Sequence, residues 1–396
     1  MSLRIAVVHN FYRSENASGE NLSVLDEVDG LRERGWDVEL IGSDSDAIGS
    51  GAIPLHELPL RPIYSRRSIE RVRDTLRRFR PHVALVENLF PLHSPAVIRT
   101  FRSAGVPVAA GVRSYRMNCV RSTMYRDGAD CRACLGSRLN LPAVRHGCYQ
   151  DSPLRSVPMA ASLRLHRSTF RSVDAFLAVS EFVRDSLIDL GFDPERIRVR
   201  PNFVVDPGRP EHADHGDGFF FAGRLTEDKG VAEMIEAWVA SEAWRSSTLR
   251  VAGSGPLEHL VRASAEHRVE PLGLLPHDEA LRRVESSAVT VVPSIWPEPF
   301  GRGVIEAAAR GRPALVTRTG GISDLVVDGE TGWVADRTVA GLTAAFRRAA
   351  NEPDLASFGM AARRRFTERY TREVSLGILE DTLRSIAERG IPLEGD

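Results

Sequence analysis

The sequence predicts an α/β protein made of two successive doubly wound domains facing a central cleft. Three observations lead there. Apolar runs of strand length, near-continuous rather than alternating, are separated by longer stretches of helical period, the pattern of a parallel sheet covered on both faces. That alternation stops between residues 201 and 218 and then restarts. The chain has 396 residues, more than one ordinary core organises.

Taken in order, residues 3–8 form a first buried strand, 19–34 a helix closing at Gly35, and 37–41 a second strand. Strands follow at 82–86 and 106–111, the latter after a helix at 94–104, and strands at 174–180 and 196–200 bracket another helix. The stretch 201–218 holds Pro201, Pro207, Gly208, Pro210, Asp214, Gly216 and Gly218 among polar residues, and reads as the interdomain linker. Strands resume at 219–222, 248–253, 288–293, 313–317 and 332–335, and an Arg-rich helical tail runs from about 353 to 388. The expected division is a first domain over 1–204 with a Cys-rich insertion near 117–150, a second over 217–375, and a C-terminal helix over 376–396 packing back toward the first.

Hydrophobic content of 42% and charged content of 27% describe a globular protein, and a net charge of −1 gives no global case for nucleic acid or an anionic membrane. No apolar run approaches a spanning length, and the start passes directly into a strand with no signal-peptide pattern, so a cytoplasmic protein, monomer or homodimer, is expected.

Lys229 is the only lysine; all the other residues among the 52 Lys plus Arg are Arg. Where Arg serves everywhere else, a retained Lys suggests a need for a compact, rotatable ammonium. It lies beyond the strand 219–222 in Gly223-Arg224-Leu225-Thr226-Glu227-Asp228-Lys229-Gly230, so one strand end delivers two cations, as an anionic ligand requires. A glycine turn, Gly253-Ser254-Gly255-Pro256, follows the next strand and suits backbone approach to a phosphate. After 288–293, a Pro-stiffened loop carries Glu298, and a helix starting near Gly301–Gly303 carries Glu306 in its first turns. Two carboxylates on different elements can flank a ligand over a helix N-terminus, each accepting hydrogen bonds from a diol, while N–H groups around Phe300, Gly301, Arg302 and Gly303 donate to its oxygens.

These stretches, with Gly320-Gly321 and Asp328-Gly329-Glu330-Thr331-Gly332, resemble the retaining glycosyltransferases of family 4, which have the GT-B fold of two Rossmann-like domains. The likeness covers most of 219–335. In the first half it extends to Ser18-Gly19-Glu20-Asn21, Asn88-Leu89-Phe90-Pro91-Leu92, Ser180-Glu181-Phe182 and Pro201-Asn202-Phe203. The resemblance implies a nucleoside-diphosphate sugar donor, GDP- or UDP-linked, and a metal-independent, retaining reaction. On the matching positions Arg224 and Lys229 would hold the diphosphate and Glu306 the ribose, while Glu298 with the Phe300–Gly303 amides would hold the sugar. Gly19 would let the first domain approach the diphosphate closely, and Gly223, Gly253 and Gly255 would line the donor side. The base would be read around 272–276 through backbone.

Where the subgroup often has His-Asn-Tyr-Arg, this chain has Arg113-Ser114-Tyr115-Arg116. Either Arg113 meets an anionic acceptor or another group, such as His93, stands near it; Glu20 is a further acceptor-side candidate. The acceptor is expected to be a small molecule such as a natural product, with glycan or glycolipid assembly as the alternative. A sugar-nucleotide epimerase of the same fold, a pyridoxal-phosphate phosphorylase using Lys229 as its Schiff base, and a silent nucleotide-sugar-binding protein are the competing readings.

All four cysteines fall within thirty residues as C-x11-C-x2-C-x13-C: Cys119, Cys131, Cys134 and Cys148. In a cytoplasmic chain the close pair favours metal over disulfides, and four thiolates can close a structural, non-catalytic zinc site. Free or redox-active thiols are the alternative.

Overall fold

The computed structural model describes residues 2–14, 19–48, 50, 53–54, 56–137, 139–208 and 216–390. Ser18 of the first-helix motif, Pro210 and Asp214 of the expected linker, and residues 391–396 of the expected C-terminal helix lie outside them. The chain forms two compact units: residues 1–124, 131–200 and 376–396 make the first, and 125–130 with 201–375 make the second.

In chain order the first part gives β1 (Arg4–Phe11), α1 (Gly19–Glu33), β2 (Asp37–Asp44), α2 (Arg66–Arg78), β3 (Val83–Val86), α3 (Ala96–Ser103) and β4 (Val108–Val112). A short antiparallel pair, β5 (Tyr125–Arg126) and β6 (Ala129–Asp130), precedes α4 (Leu141–Arg145), α5 (Pro153–Leu165) and α6 (Arg167–Arg171). Then come β7 (Ala175–Ala178), α7 (Glu181–Asp189) and β8 (Ile197–Val199). The sheet of the first unit is parallel, in the order β2-β1-β3-β4-β7-β8. Its central strands are apolar on both faces, and Val83–Val86 is buried throughout, because helices cover both sides. The Ser180 side chain starts α7 by accepting from the Val183 N–H.

The second unit repeats the scheme with β9 (Phe219–Ala222), α8 (Val231–Ser241), β10 (Leu249–Ala252), α9 (Glu258–Ala263), β11 (Val269–Gly273), α10 (His277–Ser286) and β12 (Val289–Val292). It continues with α11 (Arg302–Ala309), β13 (Ala314–Thr317), β14 (Gly332–Ala335), α12 (Val339–Ala350) and α13 (Leu355–Arg369). A last helix, α14 (Arg372–Gly390), ends the described chain. The sheet order is β11-β10-β9-β12-β13-β14, again parallel. Phe219, Trp238 and Phe346 meet edge-to-face with centroids 5.3, 5.5 and 5.4 Å apart and fix α8 and α12 on the sheet.

The edge strand β11 and the C-terminal tail are among the elements that differ from expectation. β11 is an unpredicted strand, because Pro271 breaks its sequence signal; as an edge strand bonded only to β10 it tolerates the missing N–H. The tail is two helices, α13 and α14, broken at Tyr370–Thr371.

In both sheets the strand order reverses beside the first strand, between β1 and β3 and between β9 and β12. The crevice outside the carboxyl ends at such a reversal is where an open α/β sheet receives a ligand.

Candidate functional site

At the reversal in the second unit, the loop leaving β9 carries Arg224 and Lys229, and the loop leaving β12 carries Glu298. The Lys229 Nζ lies 3.0 Å from Glu298 Oε1, with both side chains largely buried. The second carboxylate oxygen of Glu298 accepts from Ser294 Oγ at 2.6 Å, and the Lys229 ammonium sits 5.7 Å from the centre of the Trp296 ring. The two loops are joined through their backbones, since Ile295 N–H donates to the Asp228 carbonyl at 3.0 Å. On the far side the Gly321 N–H donates to the Glu298 carbonyl at 2.7 Å, so the glycine turn after β13 braces the carboxylate loop.

Each cation here already has an anion. Arg224, with 71% of its side chain exposed, reaches Asp228 at 3.3 Å. Arg302 Nε, in the first turn of α11, donates to Glu306 Oε1 at 2.9 Å, and His277 Nε2 is 3.8 Å from the same oxygen. Glu306 is therefore held by its own helix neighbour on the half-buried face of α11, opposite the side formed by Val304, Ile305 and Ala307. Phe300 is buried against Tyr370 at the mouth of α11, and Gly301 caps the helix without a side-chain bond. The ammonium of Lys229 has three donors and directs one at Glu298, leaving directions open to an anion.

The glycine turn after β10 needs a different explanation from the phosphate one. Gly253 has φ of 144°, and a Cβ there would stand 1.8 Å from the Gly223 carbonyl oxygen. Its N–H goes to Gly273, and the Leu225 N–H goes to Ser254. Gly253 and Gly255 thus allow the β10 loop to pack on Gly223 and Leu225 of the β9 loop, which carries Arg224 and Lys229; the Gly253 N–H is already engaged.

In the first unit, Gly19 and Glu20 open α1, and Glu20 lines a small cavity with Glu87, Asn88, Phe90, Arg113 and Arg116. Tyr12 is hydrogen-bonded to Glu20 and Arg116. Burial pushes the Glu20 carboxyl up, against the pull of Arg113.

Arg113 does not carry the role of meeting an anionic acceptor. Its guanidinium is buried, paired with Glu27 and, at 3.1 Å, with Glu87. Arg200 Nη1 reaches Glu27 at 2.8 Å, so two guanidiniums and two carboxylates form a closed charge cluster beneath the cavity. Burial would raise Glu27, but Arg113 and Arg200 outweigh it and hold its carboxyl below the ordinary range. Glu87 moves the other way: burial raises it, Arg113 opposes, and the neighbouring Glu27 adds to the rise.

His93 is likewise a core residue rather than an acceptor-side group. It is fully buried, with Nδ1 2.9 Å from Ser68 Oγ and Nε2 3.2 Å from the His9 carbonyl. Burial lowers it to about 3, so it is neutral across the physiological range.

Sequence reasoning missed Glu27, Glu87 and Arg200. The available signal was a carboxylate at an apolar position in each of two elements: Glu27 at helical spacing with Val24, Val28 and Leu31, and Glu87 at the end of the apolar strand 83–86. Gly111 admits the cluster: a Cβ there would lie 2.1 Å from Glu87 Oε2.

The four cysteines are free and half-buried. The Cys134 thiol is pushed up to about 11, first by burial and then by Cys119, with smaller effects of Cys148 and Cys131. Among the described residues no three His, Cys, Asp or Glu side chains are grouped as a metal cage.

Residues 216–352 match the model of the glycosyl transferases group 1 family, and 18–202 match that of the glycosyl transferase 4-like domain. A glycogen synthase of Mycobacterium tuberculosis is 36% identical over 158 residues, 38% of each chain, so the match spans under two fifths of that relative. An uncharacterized 42.6 kDa protein from the cps region of Klebsiella pneumoniae is 22% identical over 82% of this chain and 87% of its own. Among solved structures, a sucrose-phosphate synthase of Thermosynechococcus elongatus superposes with a TM-score of 0.70 at 18% identity, covering 98% of this chain and all of its own (100%). Anabaena HepE in complex with UDP-glucose gives 0.62 at 14% identity, over 98% and 100% of the two chains. At such identities the likeness is one of fold.

Proposed function

The chain belongs to the group 1 glycosyltransferases of the GT-B fold, with a family 4-like first half, and from that premise we propose that it is a metal-independent, retaining enzyme that moves a sugar from a nucleoside diphosphate to a small-molecule or glycan acceptor. The observation that carries this reading is the Lys229–Glu298 pair, 3.0 Å apart across the strand reversal of the second unit. An ammonium held by a carboxylate is already oriented when a diphosphate arrives. It can then stabilise the negative charge that grows on the leaving phosphate without reorganising at that moment.

Arg224, exposed at the same strand end, supplies the second cation, so the charge a divalent ion would otherwise meet is met by side chains. Glu298, also gripped by Ser294, offers oxygens to sugar hydroxyls, and Glu306 offers its own to the ribose. The N-terminus of α11, with Phe300, Gly301, Arg302 and Gly303, adds backbone donors. Retention then follows from same-face attack, the departing phosphate taking the acceptor proton. Glu20, on the cavity of the first unit, supports a role on the acceptor side. The buried pairing of Arg113 with Glu27 and Glu87 removes the argument for an anionic acceptor.

UDP and GDP are the ligands to test. The expected result is a rise in melting temperature with one of them, undiminished by a chelator, because a ligand that binds only the native state stabilises it. No stabilisation by any nucleoside diphosphate rejects the donor site.

A structural zinc held by Cys119, Cys131, Cys134 and Cys148 is a separate part of the proposal, supported by their spacing in the sequence, although the described side chains are not gathered into a metal cage. Metal analysis of freshly purified protein should return one zinc per chain; metal-free protein with four titratable thiols counts against it.

A further inference from the structure

Exposed large apolar side chains are concentrated in one region of the first unit. α5 is apolar on nearly every side: Ser156, Met159, Ala160, Ser162 and Leu163 face inward, while Leu154, Val157 and Leu165 face out. Leu154 is 82% and Leu165 59% exposed, values that leave most of each side chain in water. At 100° per residue, positions 154, 157, 161 and 165 fall on one stripe, so this is a continuous face opposite the buried one.

Neighbouring segments extend the face. The Ser162 hydroxyl donates to the Pro62 carbonyl at 2.5 Å, and His166 Nε2 lies 2.8 Å from the Ile63 carbonyl, which sets Leu60 and Tyr64 beside α5. Both are exposed, Leu60 at 62%. On another side, Asn140 Nδ2 reaches the Ala160 carbonyl at 3.5 Å, bringing exposed Leu139 and Leu141 alongside. Exposed apolar side chains gathered on and around one helix in this way mark an interaction site.

The charge around it identifies the partner. Residues 139–168 hold four Arg against one Asp, in a chain whose net charge is −1. On α5, exposed Arg155 and Arg164 lie to either side of the apolar stripe. α2, also rich in arginine, is a weaker candidate: Arg66, Arg77 and Arg78 pair with Glu70, Asp74 and Glu39, and Arg61 just before it is buried against Glu57. A second copy of this chain fits poorly, since a two-fold contact would set one arginine-rich rim against another.

We infer that the α5 face, with Leu60, Tyr64, Leu139 and Leu141 around it, docks the protein on an anionic lipid surface. Leu154, Val157 and Leu165 enter the headgroup boundary, Tyr64 sits at its edge, and the flanking arginines meet lipid phosphates. Among the described residues no helix is long and apolar enough to cross a membrane; the contact inferred is one of lying on the surface.

The test is co-sedimentation of the full chain with vesicles of phosphatidylcholine alone and of a three-to-one phosphatidylcholine–phosphatidylglycerol mixture. The protein should pellet with the mixed vesicles, remain in solution with the neutral ones, and lose binding as salt is raised. The double variant Leu154→Asp, Leu165→Asp should bind at least about tenfold more weakly, as expected when charge replaces apolar anchors at a bilayer boundary. Its melting temperature should stay unchanged, because both residues are exposed. Equal binding by variant and wild type overturns the assignment, as does a wild type that ignores anionic vesicles. A wild-type dimer that the double variant converts to monomer also overturns it, in favour of a contact between copies. Wild-type retention of an acidic protein with no vesicle binding assigns the face to a protein partner instead.

Discussion

Lys229→Ala should lower the turnover of sugar transfer by about 10²–10³-fold, the loss measured when a preorganised donor to developing charge is removed. Two contributions combine. The leaving diphosphate loses a cation, and Glu298 loses the 3.0 Å partner that orients it. Its other contact, from Ser294, holds one oxygen only, so the carboxylate gains freedom as well as uncompensated charge. Lys229→Arg tests the geometry separately. The side chain stands beside Trp296, on a loop whose backbone is bonded to the loop after β12, so its compact ammonium meets Glu298 in a fixed setting that a planar fork would not reproduce. Initial rates with saturating donor, alongside melting curves, make the measurement: activity should fall with the fold intact. An arginine variant as active as wild type shows that this position needs only a positive charge.

Glu27→Ala should destabilise the first unit by about 3–5 kcal/mol, the cost of removing one partner from a buried ion pair. Glu27 is 2% exposed and bonds both Arg113 and Arg200, so its removal leaves two buried guanidiniums with Glu87 as their carboxylate. By contrast Glu70→Ala, which breaks the exposed pair with Arg66, should cost less than about 1 kcal/mol. Urea unfolding of the two variants makes the comparison, and equal effects sink the cluster as a stabilising element. The pH dependence has a definite sign. Because Glu27 is held below its ordinary 4.5, its contribution is complete above that value and is lost as pH falls through the lowered one. The alanine variant should lose that part of the acid-side slope.

Both expectations depend on positions that the sequence marked to different degrees. Lys229 was visible as a solitary lysine after an apolar run, and Glu298 and Glu306 as carboxylates around a helix start. Glu27, Glu87 and Arg200 were not visible, because a charged residue in an apolar run looks the same whether its partner is near or absent. Arg113 and His93 were drawn to the acceptor side by their chemistry alone. Burial decided against that use: one guanidinium is closed by two carboxylates, and one imidazole is held by Ser68 and a carbonyl. The glycine turn after β10 was read for phosphate, yet its 1.8 Å clearance to Gly223 shows that chain packing alone demands a glycine there.

What the sequence determined by itself was local: strand-length apolar runs, helical periods and glycine turns, each set by steric and solvation preferences of neighbouring residues. Those were enough for two parallel α/β sheets. They were not enough for β11, where a proline hides a strand that only an edge position can tolerate. The tertiary structure alone decided which charges face one another. Residues 69 positions apart meet as Lys229 and Glu298, and residues 86 apart as Glu27 and Arg113. Coulombic and desolvation energies depend on distance and burial, and neither is a property of sequence order.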